Sequence, residues 1–446
     1  MYQCICRRRY LLEPGKRLTL GIYIISDLSA PGETTSIDRD SPTWSVDIFE
    51  RYISVVSELA QYPNVLGFFA GNEVTNNDTN TDASAFVKAA IRDVKAYMSE
   101  NNLRAIPVGY AANDDSITRL PEAEYFACAP SDASVDFYGI NMYEWCGNST
   151  YETSGYEART EEFANYSVPI FFSEYGCNVP SPRIFTEVLA LYSSPMTDVW
   201  SGGIVYEWFQ ETNDYGLVTQ VGSGVSLLPD YTAFSSQINK ISPTRDQASA
   251  YTPSNSAPSC PSPTADVWEA ATILPPTPNE GLCNCVPPSL GCAARTNLAA
   301  TNITDLFGYI CGDLAVDCSG INANGTSPGQ YGAFSPCNAT VKLSWLMNKY
   351  YDSQSKVAGA CEFGGAATVQ SAQAASGTCS QLLSEAGSAG TGVVTSTNGA
   401  VSGSSGAPGA SGSKSAASGL MGSWGDVRIT MAVVAAFLGG VALVVV

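Results

Sequence analysis

Glu73 and Glu174 are the two side chains around which a reaction can be written. Glu73 closes the apolar string Val65–Glu73 (VLGFFAGNE), and Glu174 lies near the end of Val168–Tyr175 (VPIFFSEY). A carboxylate at the end of a buried strand is costly unless it is paired or put to use. One such residue could simply point into solvent; two, each in a polar and aromatic cluster, point to catalysis. Paired carboxyl groups are the equipment of glycoside cleavage. In the retaining version they stand about 5–5.5 Å apart, one attacking the anomeric carbon and the other protonating the leaving oxygen. The acid must keep its proton at working pH, so its surroundings have to raise its pKa. Asn72 beside Glu73 is a neutral neighbour suited to a sugar hydroxyl, while Tyr143 or Tyr206 offers a hydroxyl to a nucleophilic Glu174.

Composition removes the competing chemistries. The 446 residues contain no histidine, which excludes Ser-His-Asp and Cys-His catalysis and argues against a zinc hydrolase. Cys177 follows Glu174 closely but has no histidine to activate its thiol. A formal net charge of −20 argues against nucleic acid and anionic membrane surfaces as partners and leaves a neutral sugar open. Fourteen cysteines suggest a disulfide framework, and sequons at Asn77, Asn148, Asn165, Asn302, Asn324 and Asn338 fit the secretory pathway. No metal, cofactor or obligate protein partner is called for.

The elements that must position the pair are legible as six strand candidates. They are Leu18–Asp27, Val65–Glu73, Ile106–Asn113, Val135–Trp145, Val168–Tyr175 and Gly202–Glu211, with helical patterns over Val46–Ala60 and Ala83–Glu100 between the early ones. Buried strands ending in polar residues suit a parallel α/β barrel with its chemistry at the C-terminal mouth. A (β/α)₈ barrel needs eight strands, so two βα units are expected to be missing ahead of the six.

Zones along the chain follow from composition. Residues 1–18 form an atypical start with no apolar run suited to a signal peptide, so the true beginning is expected upstream. Residues 19–260 form the barrel zone, 261–280 a Pro-rich linker, 281–383 a zone with eight cysteines, and 384–419 a Ser/Gly-rich stalk. The last part, 420–446, ends in the uncharged Ile429–Val446, preceded by a polar spacer and by the small residues Ser415–Gly419. That order is the signal for a glycosylphosphatidylinositol anchor, placing the protein on the outer face of the cell membrane or in the wall. The alternative is a membrane-spanning helix, but nothing basic follows Val446 to hold a cytoplasmic end.

The strings GNEV (Gly71–Val74) and FSEYGC (Phe172–Cys177), with YPNVLGFFAGNEV around the first, resemble the fungal β-1,3-glucanosyltransferases of glycoside hydrolase family 72. The resemblance runs from about Gly21 to Cys260 and continues into the Cys-rich zone, which is similar to a carbohydrate-binding module. It implies a retaining transferase that cleaves one β-1,3-glucan chain and joins the glycosyl unit to another. Glu73 is then the acid/base and Glu174 the nucleophile. In that clan these end strands four and seven; the visible count gives two and five, so the two missing strands reconcile them.

By the same resemblance Asn72 contacts sugar, and Asp114 and Arg119 in NDDSITR contact the acceptor. Tyr143 in INMYEW and Tyr206 in VYEW flank the cleavage point, and Asp27 belongs to the same cleft. It further implies disulfides Cys146–Cys177 and Cys128–Cys260. The eight cysteines of the module allow 105 connectivities and stay unassigned. Trp345, Tyr350 and Tyr351 fit either a sugar-stacking face or a core. A plain β-1,3-glucanase and a non-catalytic wall-binding protein remain as alternative functions.

Overall fold

The computed structural model describes residues 23–32, 34–243, 254–396 and 444–445. Six parallel strands lie side by side in chain order: β1 (Ile24–Asp27), β2 (Val65–Asn72), β3 (Val108–Ala112), β4 (Tyr138–Met142), β5 (Ile170–Tyr175) and β6 (Trp200–Val205). Helices α1 (Val46–Leu59), α2 (Ser84–Glu100), α3 (Arg119–Ala127), α4 (Tyr156–Phe163) and α5 (Glu187–Leu191) make the returns, and α6 (Pro229–Ile238) follows the last strand. Each strand falls within its predicted window except the sixth, which starts before Gly202 and stops before Glu211. From Tyr206 the chain leaves the sheet, and the Glu207 amide pairs with the Tyr215 carbonyl instead.

Alternation explains the layers. Ile25, Phe69, Ala111, Phe137 and Phe171 form one cluster on the inner face of the strands. The aromatic ring of Phe137 fits there because its neighbours are glycines. A Cβ on Gly109 would lie 2.3 Å from that ring and one on Gly67 2.5 Å from it. Residues one place out of phase, such as Phe68, Tyr110, Tyr138 and Phe172, pack outward against the helices in the main core.

Beyond β6 the sheet gains Val444–Val445, pairing antiparallel with Val205 and Ile204. This edge of the sheet is occupied here by two residues of the C-terminal apolar run. The rest of the anchor signal and residues 1–18 lie outside the described residues.

The linker reading needs correction. Residues 261–280 are packed on the barrel: Trp268, Ala270 and Ala271 are buried, and Tyr125 Oη donates to the Ala271 carbonyl. Arg92 Nη2 reaches the Pro275 carbonyl at 2.9 Å. Proline suppresses regular structure without preventing burial, and composition alone does not separate the two.

The Cys-rich zone has its own core, built on α7 (Glu280–Ser289), α8 (Ala300–Gly308), α9 (Ala339–Ser353) and α10 (Thr378–Ala386). Four disulfides bind it: Cys283–Cys337, Cys285–Cys379, Cys292–Cys361 and Cys311–Cys318. Trp345 and Tyr351 belong to this core at 7 % exposure each, and Tyr350 packs edge-on to Phe363. The stalk begins later than position 384. Ala386 is fully buried, and Ser396 donates to Glu385 and accepts from Asn279, so residues 384–396 belong to the module.

Three of the module's disulfides close loops of 54, 94 and 69 residues. In chain-entropy accounts each such closure contributes about 4 kcal/mol, a large share of what so small a core can supply. Limited proteolysis with reductant should therefore cut first within 281–383. Earlier cutting inside the barrel would contradict this ranking.

Candidate active site

Two bulges bring Asn72 and Glu174 onto the inner face. On β2, Phe69 pairs with Gly109 and Asn72 with Ala111, so β2 carries one residue more than β3 between those pairs. On β5, Phe172 pairs with Ile140 but Glu174 pairs with Asn141, with Ser173 as the extra residue. An inserted residue reverses the phase of a strand. Phe171 and Glu174, three apart, thereby share the inner face instead of opposing ones. Glu73 follows directly on β2, with its amide on the Ala111 carbonyl at 2.8 Å and a φ of 48°.

Asn141 joins the two halves. Its Nδ2 donates to Glu73 Oε1 at 2.7 Å and to Asn72 Oδ1 at 3.1 Å, while its Oδ1 accepts from Ser173 Oγ at 2.7 Å. It is 4 % exposed. Tyr143, on the next inward position beyond β4, donates its hydroxyl to Glu174 Oε2 at 2.7 Å. Tyr143, Tyr206 and Tyr215 meet edge to face, with ring centroids 5.4 to 6.4 Å apart. Asn213 Nδ2 donates to Tyr206 Oη at 3.3 Å.

The local field is acidic. Glu174 is pushed up to about 7, chiefly by burial, and further by the charges of Glu73, Asp27 and Glu207; the Tyr143 hydrogen bond pulls the other way. Asp27, at the end of β1, is raised to about 6 by burial. Burial and Glu174 hold Tyr143 firmly in its protonated form, and Tyr206 is pushed up to about 12. A proton donor therefore always faces Glu174.

Asp114 and Arg119 are brought together as an ion pair. Arg119 is 5 % exposed, and its guanidinium binds Asp114 Oδ1 at 2.6 Å and Glu162 Oε2 at 3.0 Å. Its guanidinium is engaged by both carboxylates and so orients Asp114. Burial raises the Asp114 carboxyl against the pull of Arg119. Glu144, beside Tyr143, is pushed up to about 7 by partial burial and by Asp114.

Two disulfides lie in the barrel, Cys146–Cys177 and Cys128–Cys260. The first joins the loops that follow β4 and β5. The second fastens the start of the 261–280 segment beside α3. Buried Arg183 pins the same mouth, with Nε on Asp230 at 2.6 Å and Nη1 on the Tyr206 carbonyl at 2.6 Å.

Asn141, Ser173, Tyr215, Glu207 and Glu144 are the residues that sequence reasoning passed over. Asn141 carried a signal, since it is a carboxamide inside an apolar strand two positions before Tyr143. Ser173 and Tyr215 carried none, one depending on a bulge and the other on a loop.

With this geometry in hand, comparison with known proteins is specific. Residues 18–242 match the glucanosyltransferase family and residues 290–368 the X8 domain. Protein EPD1 of Candida maltosa is 56 % identical over 375 residues, covering 84 % of this chain and 67 % of that protein. The 1,3-beta-glucanosyltransferase gas1 of Schizosaccharomyces pombe is 48 % identical, covering 84 % of this chain and 68 % of its own length. The chain thus spans about two thirds of these relatives. Among solved structures, Saccharomyces cerevisiae Gas2p in complex with laminaripentaose superposes with a TM-score of 0.71 at 46 % identity, covering 78 % of each chain. By family match and by identity over most of its length, the chain belongs to the glucanosyltransferases of glycoside hydrolase family 72, with an X8 module behind the barrel.

Proposed function

We propose that this protein is a retaining β-1,3-glucanosyltransferase that cleaves a β-1,3-glucan and passes the glycosyl unit to a second glucan chain. The observation that carries the reading is the pair Glu73 and Glu174, held on one frame by Asn141, Ser173 and Tyr143. Relatives about half identical are named 1,3-beta-glucanosyltransferases, and structural neighbours are described with laminari-oligosaccharides bound.

Glu174 is the nucleophile and Glu73 the acid/base. Glu174 attacks the anomeric carbon as Glu73 gives its proton to the departing glucan oxygen. A covalent glycosyl-enzyme results. Glu73, now ionised, takes the proton from the acceptor's 3-hydroxyl as that oxygen displaces Glu174. Tyr143 stabilises Glu174 in its charged form, against the burial that disfavours it. Asn72 is placed beside the acid/base to hold a sugar hydroxyl, with Asp27, Tyr206 and Asp114 around the same mouth. The six strands then count as the third to eighth of an eight-stranded barrel, Glu73 ending the fourth and Glu174 the seventh. Support comes from their unbroken parallel order. The X8 module fits a glucan-binding role, and the C-terminal apolar run fits a lipid anchor on the outer cell surface.

In the full-length protein, Glu73→Gln and Glu174→Gln should each abolish the lengthening of a defined laminari-oligosaccharide while leaving circular dichroism unchanged. Retention of a substantial fraction of the rate by either variant would remove that glutamate from the mechanism. Shorter products alone, with no lengthened ones, would indicate a hydrolase.

The raised carboxyl of Glu174 also makes a stability prediction. Its folded pKa, about 7, exceeds the ordinary glutamate value of 4.5, so the ionised form is disfavoured by folding. The penalty is absent below about pH 4.5, grows to pH 7 and is complete above it. Glu174→Gln should gain about 2 kcal/mol, or about 4–8 °C in Tm, at pH 8, and nothing at pH 4. Equal shifts at both pH values would contradict burial as the cause.

Tyr143→Phe removes the bond that lowers Glu174. The acid limb of the kcat/KM profile should therefore move to higher pH, by about one unit for a charge-assisted bond of this kind. An unmoved limb would mean that Tyr143 does not govern the nucleophile.

A further inference from the structure

Glu73 adopts a φ of 48°, the left-handed region that a non-glycine residue occupies only when its surroundings hold it there. Three contacts fix that turn. Its amide donates to the Ala111 carbonyl, and two residues later the Thr75 amide donates to the Tyr110 hydroxyl at 3.2 Å. The third comes from far away in sequence: Arg39 Nη2 donates to the Glu73 carbonyl oxygen at 2.5 Å. Arg39 lies in the segment between β1 and α1, which is anchored by buried Ile37 and Trp44. Trp44 Nε1 donates to Asp93 Oδ2 at 2.7 Å.

We propose that Arg39 is a positioning residue that clamps the main-chain carbonyl of Glu73 and so aims the carboxyl at the glycosidic oxygen. The proposal rests on Glu73 being the acid/base. The amide of Glu73 is held by β3 and its carboxyl by Asn141 on β4, so only the carbonyl end of the turn depends on an element outside the sheet. Releasing that end lets the peptide rotate toward ordinary φ values, swinging the carboxyl by a distance on the scale that matters for proton transfer. Arg39 itself touches neither substrate nor reacting atoms.

The test separates aiming the acid from general damage. Arg39→Ala in the full-length enzyme should cleave laminari-oligosaccharide with a kcat lower by about ten- to a hundredfold and a KM within about threefold. A 2,4-dinitrophenyl β-laminarioligoside removes the need for the acid. As the Glu174 carboxylate bonds to the anomeric carbon, the leaving oxygen departs as dinitrophenolate with its electron pair and no proton. The first-turnover burst of dinitrophenolate from Arg39→Ala should stay within about threefold of wild type. Arg39→Lys, with one donor group on a shorter reach, should recover part of the lost rate on the natural substrate. Equal losses on both substrates, or no loss on either, would overturn the proposal. Glu73→Ala run beside it tests the underlying reading. If that variant loses the burst, Glu73 is not the acid, and the failure belongs to the assignment and not to Arg39.

Discussion

The carboxamide of Asn141 is the contact on which the site depends. It donates to Glu73 and Asn72 on one side and accepts from Ser173 on the other. A side chain that is donor at one end and acceptor at the other can join β2 to β5 without carrying charge. Its own position on β4, between the bulges of β2 and β5, is what allows both ends to be satisfied at once. A carboxylate there would repel Glu73, and an apolar residue would leave the Ser173 hydroxyl and the glutamate unsupported.

The surroundings set two demands against each other. In the proposed mechanism Glu174 attacks as a carboxylate, yet burial is what pushes its carboxyl up. The fold bears this cost because the mouth is braced from several directions. Cys146–Cys177 joins the loops after β4 and β5, and Arg183 draws Asp230 and the Tyr206 carbonyl to one buried guanidinium. Arg119 does the same for Asp114 and Glu162. Both arginines are nearly inaccessible, so their charge serves the frame. This is the pattern expected of a site whose carboxylates are held by a rigid shell.

The barrel and the X8 module are also more continuous than a two-domain reading of composition suggests. Residues 261–280 lie against α2 and α3, and the Val46 amide at the start of α1 binds the Pro336 carbonyl of the module at 2.9 Å. Val46 packs against the module's core as well. Any sugar face of the module therefore stands in a defined relation to the end of the barrel from which α1 starts, the end at which β1 finishes.

The sequence by itself determined a good deal. Glu73 and Glu174, their strands, the helix that follows the first of them and the family were legible, because a buried strand writes itself as an apolar run and a strand-end acid stands out against it. Asn72, Tyr143 and Tyr206 were legible for the same reason. What only the tertiary structure decided was where those residues point and what they touch. The phase of Glu174 depends on an extra residue opposite Asn141, which no local pattern announces. Resemblance named Arg119 as an acceptor contact, but that Asp114 and Glu162, brought from separate elements, both hold its guanidinium was visible only in the fold. Residues 261–280 and 384–396 looked like linker and stalk because Pro, Ser and Gly report local propensity, while burial is set by what distant segments place around them. Sequence spacing fixes neighbours along the chain; hydrogen bonds such as Arg39 to Glu73 and Asn141 to Ser173 join residues about thirty apart, and only folding brings them within reach.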